Sequence, residues 1–234
     1  MTKQFLFVLF ISSLLFSCAK EAKNQMLVQG EITYLKKGTI YLEKIKEGVL
    51  SVVDSLPVEG TGKFQFSTSV ESAEVYFLSL DREAEKTIPF FGEKGSITIN
   101  TSLNKFVHSA KISGSKNQEI LDNYNEIAAK FKNQNLDLIK ENFEAQKAQD
   151  QEKLAAVLQK SNNLIRRNYL YTTNFAINNA DSEVAPYLAL TKLANANIKL
   201  LDTINKSLSE EIKKSRYGKE LNSYIEKIKA SEKE

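Results

Sequence analysis

The sequence is short of the residue types on which most recognisable chemistry depends. Its 234 residues contain one Cys, one His, no Trp and three Pro. One thiol and one imidazole exclude a CxxC redox centre, a Cys-rich zinc site and a disulfide framework, and they leave a single His for any triad. Only four of the 32 basic residues are Arg, so bidentate phosphate recognition has few candidates, and nothing points to nucleic acid. The formal net charge is a modest +3. What is present is ordinary for a globular chain: 42% hydrophobic and 26% charged residues, enough to bury a core.

The longest apolar run lies at the N-terminus. Phe5 to Phe16 follows Lys3 and is too short for a spanning helix, so residues 1–17 read as a signal peptide. The run stops at Leu15-Phe16-Ser17-Cys18. This resembles a bacterial lipobox, with Leu15 at −3, Ser17 at −1 and Cys18 as the first mature residue. The resemblance implies thioether attachment of lipid to Cys18, cleavage before it and acylation of the new amine. No free thiol then remains for catalysis. Residues 18–25 read as the lipidated Cys and a polar tether. Ala19 is not the Asp associated with inner-membrane retention, so the expected location is the outer membrane, facing the periplasm.

Eight of the nine glycines fall between Gly30 and Gly114, and the pattern changes there. Up to that point apolar residues alternate with period two and turn residues recur every 8–12 positions, which predicts an antiparallel β-sandwich of about eight strands over 26–114. The last strand is expected over Phe106 to Ile112, with His108 buried or half-buried on its apolar face. From Ser115 the period is helical. Ile120, Tyr124, Ile127, Phe131 and Leu138 form one stripe, and Leu154, Leu158, Ile165 and Tyr169 a second. Ser182 reads as a helix N-cap, with Pro186 early enough to lose no helix bond. The expected class is therefore α+β, the sandwich followed by an all-helical module of four to six helices over 115–234.

Motifs that suggest chemistry have simpler readings. Gly60-Thr61-Gly62-Lys63 resembles part of a phosphate loop, but the first glycine of such a loop would fall at Pro57, and Phe64-Gln65-Phe66 continues as a strand. It reads as a hairpin turn. Asp54 reads as a strand-end carboxylate bonding local backbone. Asp54-Ser55-Leu56 and Asp202-Thr203-Ile204 resemble the three-residue O-glycosylation acceptor of some Gram-negative periplasmic proteins, which makes Ser55 and Thr203 candidate modified residues. Tyr169, Tyr171, Phe175 and Tyr187 offer either an aromatic binding surface or helix core, with Tyr171 the one expected outside the core. No cofactor, metal site or catalytic set is specified.

In order along the chain stand Gly30, Gly38-Thr39-Ile40-Tyr41-Leu42, Val53-Asp54-Ser55, Gly62-Lys63-Phe64-Gln65-Phe66, Tyr76, Phe91-Gly92-Glu93-Lys94-Gly95-Ser96-Ile97 and Ile112-Ser113-Gly114-Ser115-Lys116-Asn117. Asn179-Ala180-Asp181-Ser182 and Tyr217-Gly218 with Leu221 follow. This series resembles the uncharacterised β-domain and helical segment that form the N-terminal part of thioredoxin-like lipoproteins of Gram-negative bacteria. In that family a thioredoxin fold with Trp-Cys-x-x-Cys comes next. No residue here matches that active site, so the resemblance implies no thiol–disulfide activity. The expected function is a non-catalytic binding or accessory role in the envelope, with an envelope protein, such as a separate thioredoxin-like reductase, as partner. The alternatives are a carboxylate-based envelope hydrolase using Asp54, Asp81 and Glu93, or a truncated relic of a thiol–disulfide oxidoreductase.

Overall fold

Strands form where the alternation puts every second side chain against a common core. In the computed structural model, which describes residues 24–231, the first strand β1 (Gln25–Thr33) buries Met26, Val28 and Ile32. It is followed by β2 (Lys37–Lys46), β3 (Val49–Glu59), β4 (Lys63–Ser69), β5 (Glu74–Leu80), β6 (Thr87–Gly92), β7 (Gly95–Ser102) and β8 (Lys111–Ser113). These make two four-stranded sheets, in the orders β4-β1-β7-β8 and β3-β2-β5-β6. Val28, Ile97, Ile99, Phe64 and Phe66 of one face Ile40, Leu42, Tyr76, Leu78 and Phe90 of the other, all buried in one cluster. The chain is thus α+β, with the β-rich part first.

Three details differ from the sequence reading. Sheet pairing is antiparallel except between the central strands β1 and β7, which run parallel. A parallel pair needs a long crossover, and here residues 34–94 supply it as β2 to β6. Tyr34 continues the alternation of Met26, Val28 and Ile32 in sequence, yet it is 74% exposed, because at φ +69° it turns the chain toward β2. The strand expected over Phe106 to Ile112 shrinks to β8. Its first half is a turn in which the Ser109 N–H donates to Lys105 O and the Thr101 hydroxyl to Phe106 O, so local bonds replace a ladder. Phe106 is buried, but His108 is exposed on that turn, not half-buried on a strand.

Both strand prolines sit where a missing N–H is tolerated. Pro57 in β3 and Pro89 in β6 occupy the two edge strands of the second sheet. Asp54 therefore lies within β3, not at its end, since the strand continues through Pro57 to Glu59. Gly30 permits the central pairing: a Cβ there would lie 1.8 Å from the Ile99 carbonyl oxygen.

The helical part begins with α1 (Lys116–Ala148), capped by the Ser115 hydroxyl, which accepts from Gln118 N–H. Gln149 reverses the chain in the left-handed region, and Asp150 caps α2 (Gln151–Asn178). Then come α3 (Val184–Lys192), α4 (Ile198–Ser207), α5 (Glu210–Lys214) and α6 (Arg216–Ser231). The helix α3 starts close to the expected place, with Ser182 Oγ accepting from Val184 N–H. Leu193, Leu201, Ile204, Ile212, Leu221 and Ile225 form a second core. In α2 the buried residues are Val157, Leu164, Thr172, Thr173 and Ala176; Leu158 and Ile165, expected inside, are exposed. No helix among the described residues is long and apolar enough to cross a membrane.

Candidate functional site

The two parts are joined by hydrogen bonds that use otherwise unpaired groups. Edge strand β6 would expose the N–H of Phe91, and Gln118 Oε1 at the start of α1 accepts it at 2.8 Å. Beside it, the Asn117 N–H and side-chain amide both donate to Glu93, and Ser182 Oγ donates to Asn117 Oδ1 at 2.7 Å. At the other contact, Glu74 of β5 is buried between Lys44, at 2.8 Å, and Arg216 at the start of α6. Tyr217 Oη accepts the Val75 N–H at 3.1 Å, and Ser72 Oγ accepts the Arg216 N–H at 3.2 Å. Burial, then the Arg216 charge, hold the Lys44 ammonium below its ordinary range. Burial raises Tyr76 to about 12, with Tyr217 adding to the shift, and raises Tyr124, Tyr187 and Tyr217 as well. These phenols stay neutral.

Between those contacts lies an aromatic cluster. The Phe91 ring meets Tyr187 edge-on at 5.3 Å, and Tyr124 stacks on Tyr171 at 5.7 Å and meets Phe175 edge-on at 5.4 Å. Of the four aromatics singled out in the sequence, Tyr171, Phe175 and Tyr187 pack in this junction, and Tyr169 packs against the helical core. Tyr171, expected outside the core, is half-buried at the edge of the junction, where it stacks on Tyr124.

The candidate carboxylates do not converge. Asp54 is exposed and accepts the Ser55 N–H at 2.8 Å, and Asp81 accepts the Thr39 N–H at 2.7 Å. Glu93 is held by Asn117. Asp81 follows β5 and Glu93 follows β6, its antiparallel partner, so the two lie at opposite ends of that pair. Ser55 is exposed on edge strand β3. Thr203 is exposed on α4, where its hydroxyl donates to Lys199 O at 2.7 Å. Its neighbour Asp202 is held below the carboxylate range by hydrogen bonds from Lys206 and Lys229. Gly60-Thr61-Gly62 forms the turn between β3 and β4. Leu15, Ser17 and Cys18, with the rest of the expected signal peptide, lie outside the described residues. Among the described residues no cluster of three His, Cys, Asp or Glu side chains is arranged to hold a metal ion.

The feature that sequence reading missed is the free face of the α1–α2 hairpin. Tyr124, Ala128, Phe131, Leu138 and Ala145 follow a three-and-four spacing on α1 and are buried or half-buried. One position further on, Ala129, Lys132, Leu136, Ile139 and Phe143 repeat the spacing and are exposed. On α2 the covered seam includes Val157, Leu164 and Asn168, and the shifted one includes Leu158, Ile165 and Tyr169, with Leu158 61% and Ile165 49% exposed. In an antiparallel pair, a one-residue shift turns both helices toward the same side. The geometry agrees: Ala129 and Lys132 share a groove of about 690 Å³ with Ile165 and Tyr169.

That groove lies at the inner end of the hairpin, floored by Tyr124, Phe131, Leu164 and Asn168 and closed by Lys192 of α3. Its lining contains amides, aliphatics, aromatics and two lysines, and no carboxylate, imidazole, hydroxyl of Ser or Thr, or thiol. Asn168 Oδ1 is the one buried side-chain polar atom without a hydrogen-bond partner among the described residues. The opposite side of the hairpin is polar, with Lys160 and Glu141 paired at 2.8 Å. Between Lys132 and Asn163 only Ala145 and Val157 are buried, so the outer hairpin depends on one thin seam. Two parallel seams per helix were present in the sequence, but their spacing alone does not say which one is covered.

Residues 26–121 match the model of a family described as a domain of unknown function, DUF4369. The match takes in all eight strands and the first residues of α1. The geometry accounts for that overrun, because Ser115, Asn117 and Gln118 bond to the β-domain and to the helix start. Neither a curated protein nor a solved structure matches the chain.

Proposed function

We propose that this is a lipid-anchored protein of the outer membrane, facing the periplasm, that acts by binding and not by turnover. The reading that it is built like the N-terminal part of thioredoxin-like lipoproteins belongs to this proposal. One observation carries the binding role: an uncovered apolar face on the α1–α2 hairpin, running into a groove lined by amides, aliphatics and aromatics with two lysines. The β-domain and the junction hold that hairpin, and Cys18 tethers the whole to lipid. A thiol–disulfide oxidoreductase is the heterologous partner that the resemblance suggests.

Metabolic labelling with palmitate tests the anchor. The chain is expected to incorporate label and to sediment with membranes, and Cys18→Ser is expected to abolish labelling and release the protein. A wild-type chain that carries no label, or a Cys18→Ser chain that still does, would overturn the anchored reading.

A further inference from the structure

We infer that the apolar face of the α1–α2 hairpin is covered by a second copy of this chain, the two hairpins packing antiparallel about a two-fold axis near Leu136 into a four-helix bundle. The inference deepens the binding role proposed above and rests on this face being a contact surface.

Each helix carries two adjacent three-and-four seams, which is what a helix needs when it has two helical neighbours and not one. One neighbour is supplied within the chain. The other is missing on both helices, on the same side.

Phe143, 67% exposed, is a knob near the hairpin tip, and the groove beside Ala129 is a hole on the same face. They lie about 20 Å apart along α1 at 1.5 Å per residue. A two-fold axis midway between them, near Leu136, exchanges the two, so each copy's knob meets the other's hole. Self-complementarity of this kind is the condition for an isologous interface. With both tips pointing the same way, knob would face knob.

Charge selects the same orientation. Near the tip acids and bases balance, Glu144, Asp150 and Glu152 against Lys140, Lys147 and Lys153, with Glu141 paired to Lys160 on the opposite side, whereas the groove end carries Lys130, Lys132, Arg166 and Lys192 against Glu126. Antiparallel docking sets the balanced tip of each copy over the basic end of the other, and parallel docking opposes the two basic ends. Size is adequate too. Leu136, Ile139, Phe143, Leu158 and Ile165, each half exposed or nearly so, present roughly 500 Å² of apolar surface, at the upper range for the largest patch on a monomer. Two such faces with their polar flanks reach roughly the 1,200 Å² at which stable interfaces begin.

Disulfide trapping in the full chain, in its own membrane, tests the inference. Leu136→Cys, beside the axis, is expected to give an oxidised species of twice the chain's mass, while the wild-type chain and Gln134→Cys on the polar side give none. Adding Phe143→Asp is expected to lower the Leu136→Cys yield about tenfold or more. Phe143 contributes little to the monomer's own fold, so the thermal melt at high dilution is expected to stay unchanged. Cross-linking of Leu136→Cys to a different protein would overturn the second-copy inference and leave the binding role standing. Absence of any cross-link, or equal yield from Gln134→Cys, would overturn both.

Discussion

Tyr124→Ala is expected to destabilise the protein by about 3–5 kcal/mol, as large-to-small changes at buried aromatics do. Tyr124 is 2% exposed. It stands where α1 crosses both α2 and the β-domain, in the cluster that includes Phe91, Val184 and Leu188. Removing its ring leaves Tyr171 and Phe175 facing a cavity, and neither can move in without leaving its own contacts. Against a typical total of 5–15 kcal/mol, such a loss is a large share of the fold's margin. Tyr124→Phe separates ring from hydroxyl. It removes the 2.9 Å bond to Thr172 Oγ1, but Thr172 still donates to Asn168 O, so about 1 kcal/mol is expected. Denaturant midpoints of the two variants provide the measurement. Equal losses from Ala and Phe would mean that the ring does not join the modules.

Glu74→Ala is the second large effect, expected at about 2–3 kcal/mol. The Glu74 carboxylate is buried, and it accepts from Lys44, Arg216 and, at 3.4 Å, the Tyr76 hydroxyl. Removing one partner of a buried pair typically costs about 3–5 kcal/mol. The discount applies because the Lys44 and Arg216 side chains are 33% and 30% exposed, so water reaches both once the carboxylate is gone. Arg216 also has Glu220 at 2.9 Å. A double-mutant cycle isolates the bond across the junction: Glu74→Ala and Glu74→Ala/Arg216→Ala should differ little, because Arg216 has already lost its main partner. Fully additive losses would show that α6 is not held to β5 through this pair.

Local structure was legible in the sequence, and non-local pairing was not. Met26, Val28 and Ile32 alternate because one sheet face is buried, and that pattern can be read from composition. The parallel pairing of β1 with β7 cannot be, because it depends on how residues 34–94 fold back. The segment after β7 misled for a related reason. Phe106, Ala110 and Ile112 alternate like a strand, but Thr101 and Ser109 hydroxyls bond the backbone into a turn and leave His108 outside. In α2, Leu154, Leu158, Ile165 and Tyr169 looked like the inward stripe because their spacing is as regular as that of Val157 and Leu164. Which of two neighbouring seams is covered depends on α1: Leu158 and Ile165 are exposed, whereas Leu154 and Tyr169 are half-buried.

Hydroxyl-radical footprinting of the chain in its own envelope, compared with the purified chain at high dilution, tests the central claim that this face is a contact surface. Leu136, Ile139, Phe143, Leu158 and Ile165 are expected to be protected in the envelope and labelled after dilution. Tyr34, 74% exposed on the β-domain, is expected to label equally in both and serves as the reference. Equal labelling of Phe143 and its neighbours in the two states would contradict the account.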